Sequence, residues 1–294
     1  MFDLARWRAR WPWLDAVLRV SDRFGAVGGG PLSSSVALAT FVSLFPLLLV
    51  VIAIVGFVSS AKSDFAVQLI NDLGLRGTAA QTVRDALTTA EGSRKAASIV
   101  GLVGLLWSGL GVAGSIQAAL NATWQVQGRG LLDKAIALKW LAGAGVLFLA
   151  TAALGPLLRW APAPLKPLTI LLGLTLTTVL FVWTYLTLGN SHVGWKAHLP
   201  GAVLVAVGFE VLKAVGTLFV PRMIARSSAL YGSIGVVFAV LGWLLLYGRL
   251  IVYGAVLNVV RYEERAGTVT AEIEVPRIAG EVPLTTTRGG AVET

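Results

Sequence analysis

Six apolar runs, each long enough to cross a bilayer, constrain this chain more than any other feature. They are Leu32–Val58, Ala97–Leu120, Leu138–Leu158, Leu168–Leu188, Leu199–Val220 and Ser233–Val260. A spanning helix needs about 20 mostly apolar residues, because the hydrocarbon core is about 30 Å thick and a helix rises about 1.5 Å per residue. The expected fold class is therefore all-α: a polytopic membrane protein built as a six-transmembrane-helix bundle, with amphipathic extramembrane helices. Only 13% of the 294 residues are charged, against about 25% in a soluble globular chain. The sequence reads as one membrane domain over 31–262. A basic amphipathic cytoplasmic segment, 1–30, precedes it, and a polar, disordered cytoplasmic tail, 263–294, follows.

The net charge is +9, and the cations flank apolar runs. Attraction to anionic headgroups accounts for that placement, so membrane lipids are the expected partner. No basic groove or aromatic stacking motif points to nucleic acid. An even number of spans puts both termini on one side. That side carries 13 Lys and Arg and the opposite side 9, so the positive-inside rule places both termini in the cytoplasm. The first span is expected to serve as an uncleaved signal. The chain contains no cysteine, which excludes disulfides, thiolate metal sites and cysteine nucleophiles.

Local patterning adds detail. Leu4, Trp7, Trp11, Leu14 and Leu18 recur at helical steps between arginines, the pattern of a helix lying in the headgroup layer. Pro12 is expected to break or kink it. Residues Ser59–Ala96 read as the one long loop, with short helices over the outer ends of the bundle. Their weak apolar face is Val83, Ala86, Leu87 and Ala90. Gly101, Gly104, Ser108, Gly111 and Ser115 follow steps of three and four. They form a strip of small side chains along which helices approach closely. Gly232, Gly235, Ala239 and Gly242 form a second strip. Such strips pack within one chain or between copies, so an oligomer is open. Pro46, in the middle of the first span, removes a backbone donor and leaves the carbonyl of Val42 to be satisfied by a neighbour, by Ser43 or by water. A helix kink is expected there.

Three charges lie inside the last two runs: Glu210, Lys213 and Arg249. A central charge costs about 2.5–3.5 kcal/mol on insertion scales. Glu210 and Lys213 are three residues apart, close enough to pair on a helix, and share a face with Ala202, Ala206 and Thr217. Arg249 lies one heptad beyond Gly242 and is expected to face protein or a cavity. Counted from the outer ends of the two spans, Arg249 and Glu210 are offset by about 10 Å. The three form either a substrate path or an internal ion network. Catalytic signals are weak: His192 and His198 are too few for a zinc site, and no GxSxG element or phosphate-binding loop appears. No catalytic residue, metal or cofactor is expected.

Several patches together resemble the YihY/virulence factor BrkB family, also labelled ribonuclease BN-like. Ala37-Leu38-Ala39-Thr40-Phe41-Val42-Ser43-Leu44-Phe45-Pro46-Leu47 is similar to its first span. Trp107-Ser108, followed by Leu120-Asn121-Ala122-Thr123-Trp124, resembles its second. Trp195-Lys196-Ala197-His198-Leu199-Pro200-Gly201-Ala202 resembles its entry to span five, and Tyr231-Gly232-Ser233 with Tyr253-Gly254-Ala255 through Asn258 its last span. The resemblance covers roughly residues 20–262. It implies a six-span inner-membrane protein of bacteria. Where the family often has an acid before Leu-Asn or Ile-Asn in the last span, this chain has Val256, so a role for that acid does not carry over. Family links to serum resistance and envelope lipid export favour transport or maintenance. The ribonuclease label fits poorly, because an RNA hydrolase needs metal ligands or acid–base groups in a solvent-facing site.

The resulting expectation is a non-enzymatic transporter or flippase-like protein for a lipid or other amphipathic envelope molecule. The alternative is a non-transporting scaffold for envelope maintenance, with envelope-complex proteins as partners. A ribonuclease or intramembrane enzyme ranks third. Topology is directly testable because native thiols are absent. With single cysteines placed at Asn71 and Gln127, an impermeant thiol reagent applied to intact cells should label Asn71→Cys only. Labelling of Gln127→Cys alone would invert the topology.

Overall fold

The computed structural model describes residues 12–61, 78–159 and 166–266. They form six helices: α1 (Pro12–Ala26), α2 (Gly29–Ala61), α3 (Thr78–Trp124), α4 (Leu131–Arg159), α5 (Lys166–Leu188) and α6 (Trp195–Ala266). No strand occurs among the described residues. Five stretches are long and apolar enough to span a membrane: Gly29–Phe57, Leu87–Trp124, Leu171–Leu188, Trp195–Gly216 and Ile234–Ala266.

Helix α6 contributes two of those stretches because it doubles back. A straight helix of 72 residues would be about 110 Å long. Instead Gly201 meets Gly254, Gly208 meets Leu250 and Gly216 meets Trp243. These pairs define two antiparallel limbs, with the reversal between Gly216 and Trp243.

Helix α4 has the length of a sixth crossing. It starts at Leu131, two residues after Arg129, whose guanidinium touches the C-terminal carbonyls of α5. Helix α5, with 23 residues, is about 35 Å long and so begins a full bilayer thickness away. The 29 residues of α4 reach about 44 Å, enough to cover that distance. Five apolar spans are thus present among the described residues, and α4 has the length of the sixth crossing expected from the sequence.

Both ends of the described chain lie on one face, called here the tail face. Arg19 pairs with Glu264 at 3.0 Å and Arg23 with Glu263 at 3.3 Å. Phe24 stacks on Tyr253 with ring centroids 4.0 Å apart. Val20, Phe24, Val27 and Leu32 pack against Ala119, Val252, Val256 and Val260. Gly28, with φ of 69°, takes the left-handed conformation that glycine adopts without a Cβ clash and turns the chain from α1 into α2.

The break or kink expected at Pro12 falls at the edge of residues 1–11, which lie outside the described residues; Pro12 itself is helical. One local expectation is corrected. Residues 62–77 of the expected loop Ser59–Ala96 also lie outside the described residues, but Thr78–Ala96 is not a loop lying over the bundle. Residues from Thr78 belong to the 47-residue α3, which runs alongside α2: Gly56 abuts the carbonyl of Ala90, and Arg94 lies 5.9 Å from the Phe57 ring centre. Leu87 and Ala90 are buried, as their place on the apolar face suggests. Residues 263–266, expected as part of the tail, are helical and belong to α6; residues 267–294 lie outside the described residues.

The core sits where α5 meets both limbs of α6. Tyr185, Leu188, Ala202 and Val205 are buried there with Leu120 and Ile116 of α3. The Tyr185 hydroxyl donates to the carbonyl of Ile251 at 2.9 Å, and the Gly201 N–H donates to Asn258 Oδ1 at 2.6 Å. A Cβ at Gly201 would collide with the backbone of Gly254, whereas one at Gly111 would meet nothing within 4 Å. Gly201→Val should therefore lower the unfolding midpoint in detergent by an amount matching at least the 1–3 kcal/mol typical of overpacking. Gly111→Val should leave it near wild type. Equal midpoints for the two variants would refute the close crossing.

Candidate functional site

The small-residue strip on α3 has two environments. At Gly101 and Gly104 it is closed, since a Cβ at Gly104 would lie 3.1 Å from the Pro46 ring and one at Gly101 3.1 Å from Leu49 Cβ. Helix α2 is helical on both sides of Pro46, and the ring seats against Gly104. The Ser43 hydroxyl donates to the carbonyl of Thr40 at 2.6 Å, so Ser43 is not turned toward Val42. Farther along, Ser108 is buried, Gly111 is exposed and Ser115 meets Ser35 at 3.3 Å between hydroxyl oxygens.

The open part of the strip is the floor of a cleft of about 770 Å³. Helix α2 contributes Ser35, Leu38 and Val42 to one wall, and α4 contributes Asp133, Lys134 and Ala137 to the other. Gly111 and Gly114 leave the floor without side chains. The cleft is graded along its length. Ser35, Ser115, Gln117, Asp133 and Lys134 lie at the tail-face end, while Leu38, Val42 and Trp107 lie deeper. Trp107 is 74% exposed. From Gln117 to Trp107, α3 rises about 15 Å, half the thickness of a hydrocarbon core of about 30 Å. The cleft is thus about as long as one leaflet is thick.

Its polar end is rigid. Arg129 Nε bonds Asp133 Oδ1 at 3.1 Å, the Arg129 N–H bonds Oδ2 at 2.7 Å, and Nη2 donates to the carbonyls of Leu188 and Gly189 at 3.2 and 3.3 Å. This arginine caps carbonyls that the end of α5 leaves free and neutralises Asp133. Gln117 Nε2 donates to the Asp133 carbonyl at 3.1 Å. Lys134 is left as the exposed cation beside the cleft.

The charges singled out by hydropathy lie elsewhere. Glu210 and Lys213 form an ion pair at 2.5 Å, with Lys213 more than half exposed. Glu210 lies beside Gly173 of α5, 3.8 Å from a Cβ there. Ala202 and Ala206, on the same helical face, are fully buried. Arg249 is exposed and makes no ion pair among the described residues. Its expected inward orientation is corrected. On the returning limb, Gly235 and Ala239 are buried but Gly242 is already exposed. The face that continues to pack is Gly248, Val252, Ala255 and Val259, with Gly248 against the carbonyl of Ser33. Seven residues fall about 20° short of two full turns, so a heptad step slides off a contact stripe that follows the true helical period.

The expected depth offset is corrected as well. Because Gly208 faces Leu250, Glu210 is level with Gly248 and Arg249. The outgoing limb stays helical past Val220, so counting from the end of the apolar run underestimates its length. Gly248 meets Ser33 one turn into α2, which places Arg249 within reach of the tail-face headgroups. Neither cleft described here is lined by Glu210, Lys213 or Arg249.

Several polar residues matter to the packing in ways that the sequence analysis did not assign. His198 is fully buried beside Trp124 and Tyr185, and neither ring nitrogen has a partner. Asn121 Oδ1 accepts the Asn190 N–H at 3.1 Å, and Trp140 Nε1 donates to Thr184 Oγ1 at 3.0 Å. His192 is exposed, away from the buried His198, and no cluster of three metal-ligating residues occurs among the described residues. Val256 is fully buried against Ala119, Val252 and Val260.

The fold and its apolar helices define a multi-pass α-helical membrane protein. Residues 20–279 match the family described as virulence factor BrkB, and the chain belongs to that family. It is similar to a UPF0761 membrane protein of Methylibium petroleiphilum, with 28% identity over 86% of this chain and 64% of that relative. It is also 28% identical to the inner membrane protein YhjD of Escherichia coli, over 76% of this chain and 75% of that one. A UPF0761 membrane protein of Pseudoalteromonas translucida is 24% identical over 84% of each chain. The chain thus spans less than two thirds of the first of these relatives. No solved structure matches.

The geometry separates two kinds of charge. Glu210→Gln should shift stability by about 0–1 kcal/mol, the range of exposed pairs. Arg129→Gln should cost about 1.5–3 kcal/mol through lost hydrogen bonds to a charged group. Thermal unfolding of both variants in detergent checks the order, and a larger loss for Glu210→Gln would reverse the assignment.

Proposed function

We propose that the chain moves a lipid or other amphipathic envelope molecule between leaflets, as a transporter or flippase-like protein. The observation that carries this reading is the cleft between α2, α3 and α4. It is polar at the tail-face end, apolar toward Trp107 and about as long as one leaflet is thick. An amphipathic molecule has the same gradient over the same length. The glycine floor admits a chain where a side chain would stand, and the rigid Arg129–Asp133 corner holds the polar end in place. Membership of a family of membrane proteins is compatible with this role and is the coarser statement on which it rests.

The test is reconstitution of the full chain in liposomes carrying a headgroup-labelled phospholipid, with an impermeant quencher added outside. Wild type should expose inner-leaflet probe to the quencher faster than protein-free vesicles do. Gly111→Leu combined with Gly114→Leu should remove the excess rate without lowering the unfolding midpoint, because both positions are open. A wild-type rate equal to that of empty vesicles would overturn transport of that lipid class and favour the scaffold reading.

A further inference from the structure

A second cleft, of about 360 Å³, lies on the tail face between the start and the end of α6. Its lining includes Lys196 from the outgoing limb, and Arg261, Tyr262 and Arg265 from the returning limb. Arg261 and Arg265 are four residues apart and so lie on one helical face. Gly194 and Ala197 add to the lining at the N-terminal turn of α6, the end of a helix that carries positive partial charge.

Charge on this last turn is sorted by direction. The acids between the two arginines are turned away: Glu263 pairs with Arg23 and Glu264 with Arg19, both on α1. The remaining contact between Arg261 and Glu264 is long, at 3.8 Å, and half exposed. Three cations therefore converge on one small cleft whose lining contains no carboxylate. Bringing like charges together is unfavourable unless a counter-charge joins them.

We propose that this cleft binds a phosphate-bearing anion. Three donors from two limbs line a volume with room for a phosphate group and part of the molecule that bears it, and arginine forks match phosphate oxygens. The Tyr262 ring and Pro200 supply apolar edges, and the tail face is where a lipid headgroup would arrive. The phosphate comes either from an anionic lipid or from a soluble ion. This site shares no lining residue with the α2–α3–α4 cleft and does not depend on transport.

The test uses the full chain in neutral detergent and isothermal titration calorimetry. One arm titrates short-chain phosphatidic acid, with phosphatidylcholine of the same chain length as control; the other titrates inorganic phosphate. Saturable binding of phosphatidic acid alone assigns the site to a lipid headgroup, and binding of both assigns it to phosphate as such. In either case Arg261→Gln with Arg265→Gln should weaken binding about tenfold or more, given roughly a factor of five per cation at a membrane surface. Lys196→Gln, on the other limb, should weaken it less, and rising salt should weaken the wild type. Arg249→Gln, which removes a cation outside the lining of this cleft, should leave affinity unchanged. No binding in either arm, or binding untouched by both the double variant and Lys196→Gln, overturns the proposal.

Discussion

The structure depends on one backbone crossing, where Gly201 of the outgoing limb meets Gly254 of the returning limb. Neither position has room for a side chain, so the limbs approach to backbone contact. At that distance Asn258 reaches the Gly201 N–H and Tyr185 reaches the Ile251 carbonyl. In lipid, where apolar contact drives helix association weakly, close packing with hydrogen bonds of this kind holds helices together. Helix α5 is fixed by Tyr185, α3 by Leu120 and Ile116 in the same core, and α1 by the continuation of the returning limb. Separating the limbs would remove the support of three other helices.

Long apolar runs announce themselves, because bilayer thickness sets a minimum length that few other structures need. The crossings, the shared side of the two ends and the closed part of the α3 strip were legible for that reason. Register was not. The Glu210–Arg249 offset was counted from the ends of apolar runs, but helices continue past the point where hydropathy falls, and only the Gly208–Leu250 contact sets the level. Arg249 was assigned inward because a strip of small residues was extended by a heptad, and the real stripe turns away at Gly242. Thr78–Ala96 looked like a loop because it is polar, yet polar residues with good helical propensity extend a neighbouring helix readily once that helix is nucleated.

The α2–α3–α4 cleft shows how an absence of side chains becomes architecture. Helix α3 contacts α2 through Gly101, Gly104 and Ser115 and contacts α4 through Gly109, next to Leu141. Gly111 and Gly114 fall between those contacts and meet nothing. In sequence they are indistinguishable from Gly101 and Gly104. A glycine that permits close approach and one that leaves a hollow carry the same letter, so the cleft was visible only as half of a packing strip. The intramembrane charges drew attention for the opposite reason, being conspicuous in composition while sitting at the edge of the packing.

The seating of α1 also bears on the order of assembly. Its partners on the returning limb are the last part of the bundle to be synthesised; Arg23 and Glu263 are separated by 240 positions. At about 5–20 residues per second, α1 spends on the order of 10–50 s with its docking surface not yet made. During that interval its apolar side, Val20 and Phe24, lacks Val252, Val256 and Val260, most of the cluster that it joins. A helix made early is thus locked late, and its ion pairs with the end of α6 act as a closing clasp for the described bundle.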